Sequence, residues 1–214
     1  MCARFGLELT GEQLALYFAL PGPVPEMDPR PDVRPTTQVA VVLDEGEGRR
    51  LELQRWWLVP SWWRKDPKEL PSLFNARAEG IAEKPSFRSA FKSRRCLIPA
   101  SGFFEWAKTP AGKQKFAIRR ADRQPLAFAG LWEEWRPAEA EPLRSCTIIT
   151  TTPNRVMEPI HSRMPVILGE AEWAPWLEAG TASELLLSLL QPCPDHWIEA
   201  TPVSSAQRLL TWDD

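Results

Sequence analysis

Long apolar runs are missing from this chain of 214 residues. None approaches the roughly 20 consecutive apolar residues of a membrane-spanning helix. No basic, apolar and small-residue succession marks the start as a secretion signal. A cytoplasmic protein with no membrane partner is therefore expected. Histidine is scarce, with two residues, and the four cysteines (Cys2, Cys96, Cys146, Cys193) form neither a CxxC pair nor any zinc-ligand spacing. No metal site is expected, and in a reducing compartment such thiols stay free. A large charge of one sign is also missing: the net value is −2, which argues against indiscriminate nucleic-acid binding. Proline and tryptophan are plentiful, at 22 and 11 residues. The first predicts long ordered loops, and the second an aromatic core or stacking surfaces.

The charge is unevenly spread. Between Arg49 and Arg95 twelve Lys/Arg stand against five acids, a local excess of seven positive charges. Such a zone suits a polyanion lying in one groove, or simply a solvated face of mixed charge.

Local patterns predict many short strands and few helices. Thr10-Gly11-Glu12-Gln13 is a capping-box pattern opening a short helix to Leu20. Pro21 to Pro35 carries six prolines and reads as an extended loop. Gln38–Leu43 and Arg50–Leu58 read as a hairpin across Glu45-Gly46-Glu47-Gly48. Ser86 is a possible cap for a helix to about Ser93. Strands are expected at Arg95–Pro99, Phe103–Ala107, Lys115–Arg119, Pro125–Trp132, Ser145–Thr151, Pro165–Leu168 and Ile198–Val203, with helices at Glu170–Glu178 and Ser183–Leu190. The fold class expected is α+β: a single domain, residues 1–214, with a mixed, mostly antiparallel, barrel-like β core flanked by short helices.

The most reactive stretch is Met1-Cys2. Once Met1 is removed, Cys2 carries a free α-amine beside its own thiol. An aldehyde condenses with the amine to an imine, and the thiol then closes a five-membered thiazolidine. An α-amine titrates near pH 8, so roughly a tenth is free base at neutral pH. The bland alternative is a small residue in a first strand. Asn75, in Asn75-Ala76-Arg77-Ala78-Glu79, is donor and acceptor at once and suits holding an imine or a sulfur, or forming a turn. Glu105, in Gly102-Phe103-Phe104-Glu105-Trp106, is a carboxylate in a core-like strand, so it must be paired or raised in pKa. It is either a proton carrier or a structural acid. His161 and Arg163, two apart before a strand, suit a general acid and a phosphate clamp, or a structural imidazole and its neighbour. His196 has no such company and reads as structural. Trp62-Trp63 beside Arg64 and Lys65 is the pattern of aromatics stacking on single-stranded bases, unless one or both are buried.

Six motifs occur in order: Met1-Cys2-x-Arg4-Phe5, Leu58-Val59-Pro60-Ser61-Trp62, Asn75-Ala76-Arg77-Ala78-Glu79, Arg95-Cys96-Leu97-Ile98-Pro99-Ala100, Gly102-Phe103-Phe104-Glu105-Trp106 and His161-Ser162-Arg163-Met164-Pro165. Together they resemble the SRAP family, the SOS response-associated peptidases understood as sensors of abasic sites in single-stranded DNA. The resemblance runs from Cys2 to about Pro165 and resumes weakly at Pro202-Val203-Ser204. It implies that Cys2 attacks the C1′ aldehyde of a ring-opened abasic site to form a thiazolidine DNA–protein cross-link. In that scheme Asn75 holds the ring, Glu105 shuttles protons and His161 assists sugar opening and cross-link reversal. Arg4, Arg77 and Arg163 bind flanking phosphates, Trp62 and Trp63 stack on or wedge against bases, and Thr150 aligns with a family site residue. It further implies no metal or nucleotide cofactor, abasic single-stranded DNA as partner, a monomer, and association with the nucleoid on damage.

The chain departs from the family pattern in four places. Ala3 stands where glycine is usual, Trp57 where glycine is common, and Asp32-Val33-Arg34-Pro35 replaces Asn-Val-Ala-Pro. The asparagine-containing tail is replaced by an end at Asp214. Two other readings remain open at this stage. One is a cysteine hydrolase using Cys2, His161 and Glu105, as the older family name suggests, which would release Met1 itself. The other is a non-covalent single-strand binding module built on the tryptophans and arginines.

Overall fold

Glycines at Gly46 and Gly48, with φ of 96° and 94°, make the turn of the central hairpin. The structure, a computed structural model, describes residues 2–110, 112–137 and 141–203. Met1, Ser204 and the Asp213-Asp214 end lie outside them. The strands are β1 (Phe5–Leu7), β2 (Arg30–Val33), β3 (Gln38–Asp44), β4 (Arg49–Trp56), β5 (Asn75–Arg77), β6 (Arg95–Ala100), β7 (Gly102–Thr109), β8 (Gly112–Arg120), β9 (Leu126–Trp135), β10 (Leu143–Thr151), β11 (Met164–Pro165) and β12 (Ile198–Pro202). The helices are α1 (Gly11–Tyr17), α2 (Arg88–Ser93), α3 (Glu170–Leu177) and α4 (Ser183–Ser188).

The larger sheet runs β11-β10-β4-β3-β6-β9, and β9 pairs back onto β10, so β10, β4, β3, β6 and β9 close into a five-strand barrel. Closure removes the free edges that an open sheet would expose. The second sheet, β12-β8-β7-β1-β2, packs beside it. Pairing is antiparallel except where β10 runs parallel to β4 and β5. The α+β architecture with a barrel-like, mostly antiparallel core is thus the one the sequence predicts. The barrel strands are buried on both faces: Val41, Val42, Trp56, Leu97, Phe128 and Ile148 are all fully buried. Phe5 of β1 joins the same core, its ring 5.0 Å from Trp56 and 6.0 Å from Phe128. All four cysteines are free and buried.

Several local expectations need correction. The capping box forms as expected, Thr10 Oγ1 accepting from Gln13 N–H and Gln13 Oε1 from Thr10 N–H. The helix stops at Tyr17, however, rather than Leu20, because Ala19 adopts φ 51° ahead of Pro21. The proline-rich segment is not loop throughout. Arg30–Val33 pairs antiparallel with β1, as an edge strand can despite its proline. Ser86 caps nothing; Phe87 occupies the cap position of α2 with no side-chain hydrogen bond. The strand expected at Pro165–Leu168 shortens to Met164–Pro165, followed by an isolated bridge from Ile167 to Phe128.

The basic third of the chain does not form one cationic face. Arg50 pairs with Glu45 and Glu52, and Arg94 with Glu133. Arg95 is 2% exposed and faces no carboxylate. Its guanidinium donates instead to the carbonyls of Phe91 and Lys92 at 2.7 Å, of Trp176 at 2.6 Å, and of Glu178. These carbonyls end α2 and α3, where the helix dipoles favour a cation. Arg95→Leu would strand the buried carbonyls of Phe91 and Trp176 and remove two part-buried bonds, so a loss of about 3 kcal/mol is expected in chemical denaturation.

Candidate functional site

Strand alternation decides what each part of the second sheet presents. Along β7, Phe103, Glu105 and Ala107 point to the main core side, while Phe104 and Trp106 form a separate small cluster with Ala117 and Val203 on the other face. Glu105 is therefore carried inward, where it is 4% exposed. Cys2, 1% exposed, enters the same interior just ahead of β1. Strand β5, which the sequence did not reveal as a strand, brings the third group. Its parallel register sets Asn75 opposite Ile148, Ala76 opposite Ile149 and Arg77 opposite Thr150. Ala76 faces the core, so Asn75 and Arg77 share the other face of β5.

Asn75 Nδ2 donates to the Cys2 carbonyl at 2.8 Å. Its Oδ1 is buried and has no hydrogen-bond partner among the described residues. That atom is a built-in acceptor beside Cys2. Burial pushes the Cys2 thiol well above its ordinary pKa, and the Glu105 carboxylate adds to the rise. Glu105 is itself raised, by burial, against the opposing pull of His161. Thiol and acid thus both favour their protonated forms.

His161 sits on the turn that follows β10. Asn154 Oδ1 accepts from Met157 N–H there, and His161 N–H bonds back to the Met157 carbonyl. Arg163 N–H lies 3.0 Å from His161 Nδ1, and the Arg163 carbonyl lies 3.1 Å from the same atom. Arg163's backbone therefore engages Nδ1 whether the ring is neutral or charged. Cys2, Asn75, Glu105 and His161 accordingly meet at one place.

The cations and aromatics are disposed less simply. Arg77 is exposed and forms no ion pair among the described residues. Arg4 lies on the outer face of the second sheet, 5.9 Å above the Phe104 ring and 6.0 Å from Trp106. It donates through Nε and Nη2 to Asp32 at 2.5 and 2.8 Å. Arg163 donates in the same forked way to Glu79 at 2.6 and 2.8 Å, and its Nη2 also reaches the Thr150 carbonyl at 2.6 Å. Thr150 is fully buried, its hydroxyl directed to the Ala76 carbonyl. Trp62 is 47% exposed, whereas Trp63 packs partly buried against the core. Their indole N–H groups bond to the carbonyls of Pro85 and Asp66, not to the Cys2 pocket. Asp32 and Glu79 are the residues that sequence reasoning passed over as partners. Asp32 is 28 positions from Arg4 and nothing local marks it, while Glu79 lies in the Asn75–Glu79 motif and was legible only as an acid near a cation.

No group of three or more His, Cys, Asp or Glu among the described residues could hold a metal ion, and no described helix is long and apolar enough to cross a membrane. The fold is thus a closed small barrel with a buried Cys2 beside an amide and an acid. The family model for the SOS response associated peptidase (SRAP) matches residues 1–207, and the chain belongs to that family. It is 42% identical over 209 residues to the abasic site processing protein YoqW of Bacillus subtilis, covering 96% of this chain and 93% of that one. It is 32% identical over 185 residues to the abasic site processing protein YedK of Escherichia coli, covering 83% and 79%. In fold it resembles a crystal structure of a protein from Bacteroides thetaiotaomicron, with a TM-score of 0.87 at 24% identity, over 100% of this chain and 97% of that one.

Asp32 is held down to about pH 2 by the hydrogen bonds from Arg4, with Arg34 assisting. Because the folded value is depressed, the pair's stabilisation is present above the usual carboxylate range and is lost as pH falls towards 2. A carboxyl-carbon NMR titration should place the Asp32 midpoint near 2, and Arg4→Ala should move it up towards the ordinary aspartate value near 4.

Proposed function

We propose that this chain recognises abasic sites in single-stranded DNA and captures the ring-opened sugar covalently through Cys2. The observation that carries the reading is Asn75, tied by Nδ2 to the Cys2 carbonyl with its buried Oδ1 unused. The relatives named for abasic site processing supply the class of target.

In the proposed reaction, removal of Met1 frees the Cys2 α-amine. The amine adds to the C1′ aldehyde, and the carbinolamine loses its hydroxyl as water to give an imine. The thiol then adds to the imine carbon. An S–C1′ bond forms, the C=N electron pair of the protonated imine returns to nitrogen and the thiol proton passes to Glu105, so the net change is the loss of one water. Glu105, held protonated more than an ordinary carboxylate, donates to the leaving hydroxyl and recovers a proton from the thiol. Asn75 Oδ1 accepts the N–H of the new ring. His161 Nε2 serves the opening of the sugar. Holding aldehyde and aminothiol together is worth an effective molarity on the order of 10⁵ M.

The order of the steps follows from the thiol. Desolvated and raised, it is a poor first nucleophile, so the amine reacts first. The same fact runs against the hydrolase reading, which needs a thiolate at the start. In the proposed complex Arg4, Arg77 and Arg163 meet the flanking phosphates. Exposed Trp62 offers a stacking face, and Trp63 braces it at a ring distance of 6.0 Å.

Intact mass after mixing with an abasic single-stranded oligonucleotide should show the sum of the two masses less one water, on a chain lacking Met1. Cys2→Ala should show no adduct, and an undamaged strand none with either protein. A wild-type chain that stays unmodified under these conditions would overturn the proposal. Glu105→Gln should slow capture by about 100-fold. The wild-type rate should fall as pH rises past the raised Glu105 value, and Glu105→Gln should lose that alkaline limb.

A further inference from the structure

We propose that Asp32 and Glu79 are carboxylate latches: each occupies the fork of an arginine, and a DNA phosphate must displace it before that arginine can grip the strand. The inference rests on the reading above for the identity of the polyanion, and on the geometry for everything else.

Asp32 lies on the edge strand β2. One of its oxygens takes Arg4 Nε, and the other takes Arg4 Nη2 together with Nε and Nη2 of Arg34, at 3.1 and 2.8 Å from the latter. One carboxylate thus answers two guanidiniums. Glu79 closes on Arg163 through both of its oxygens. A guanidinium fork fits carboxylate and phosphate in the same bidentate way, so each acid stands where a phosphate would. Both acids are reachable from solvent: the side chains are 30% and 57% exposed, while Arg163 behind Glu79 is only 13% exposed. Neither acid is buried in the core, and the arginines have other anchors. Arg4 rests on Phe104 and Trp106, and Arg163 holds the Thr150 carbonyl. Arg77, exposed and without an ion pair among the described residues, remains for first contact.

Exchanging a carboxylate for a phosphate gains less than filling an empty fork. The freed carboxylate also recovers a cation from solution, which cancels part of the counterion release that drives DNA binding. The latches therefore hold down affinity for any strand, damaged or not. Undamaged DNA leaves quickly, and a lesion is retained by the covalent bond rather than by charge.

The test is binding of an undamaged single-stranded oligonucleotide, followed by fluorescence anisotropy over a range of salt. Asp32→Asn and Glu79→Gln should each bind about three- to fivefold more tightly. Each should also steepen the slope of log K against log salt by about 0.7, the value for one phosphate contact on a single strand. Arg77→Ala should do the opposite on both readouts. Circular dichroism checks that the variants are folded. Affinity and slope that stay at wild-type values in both acid variants overturn the latches. The abasic oligonucleotide separates this from the proposed function. An adduct formed by a wild-type chain whose latch variants behave like it leaves capture standing and removes the latches. Tighter, more salt-sensitive variants of a chain that forms no adduct support the latches and remove capture.

Discussion

The hydrogen bond from Asn75 Nδ2 to the Cys2 carbonyl fastens the chain start to the barrel wall. Without it the residues ahead of β1 would be an ordinary strand leader, free to fray. With it, Cys2 is buried among groups that come from β5, β7 and the turn after β10. The bond is itself a product of the parallel pairing of β5 on β10. Parallel pairing demands a long connection, and β5 and β10 are joined through α2 and β6 to β9.

Cys2 and Glu105 are both almost fully buried, and the protonation of this pocket follows from that. Desolvation raises both the Cys2 thiol and the Glu105 carboxyl, so both are held in proton-bearing forms that suit a condensation with loss of water. Alternation along β7 turns Glu105 and Phe103 to one side and Phe104 and Trp106 to the other. One strand thereby serves the proposed reaction on one face and carries a cation-bearing aromatic surface on its opposite face.

Outside the pocket, charge is kept in balance. Of the cations between Arg49 and Arg95, Arg50 and Arg94 pair with Glu45, Glu52 and Glu133, and Arg95 is held by helix-end carbonyls. Arg4 and Arg163 are neutralised by Asp32 and Glu79. A site built this way does not rely on bulk positive charge, in keeping with a net charge of −2.

Much of the site was legible in residue identities. Cys2 at the chain start, Glu105 between aromatics, and His161 two before Arg163 each carry their chemistry in type and spacing. The α+β class was legible too, in short alternating runs and in the capping box at Thr10. The misses share one cause. Arg30–Val33 becomes a strand only because β1 offers it a partner, and Asn75–Arg77 only because β10 does. Strand formation in such short segments is decided by the neighbour rather than by propensity. The sequence by itself determined which reactive groups the protein possesses and the periodicities that bury them. Tertiary structure alone decided that Asn75 holds Cys2 and that Asp32 and Glu79 hold Arg4 and Arg163. These pairs lie 73, 28 and 84 positions apart, and only closure of the barrel and pairing of β1 with β2 bring them within hydrogen-bond reach.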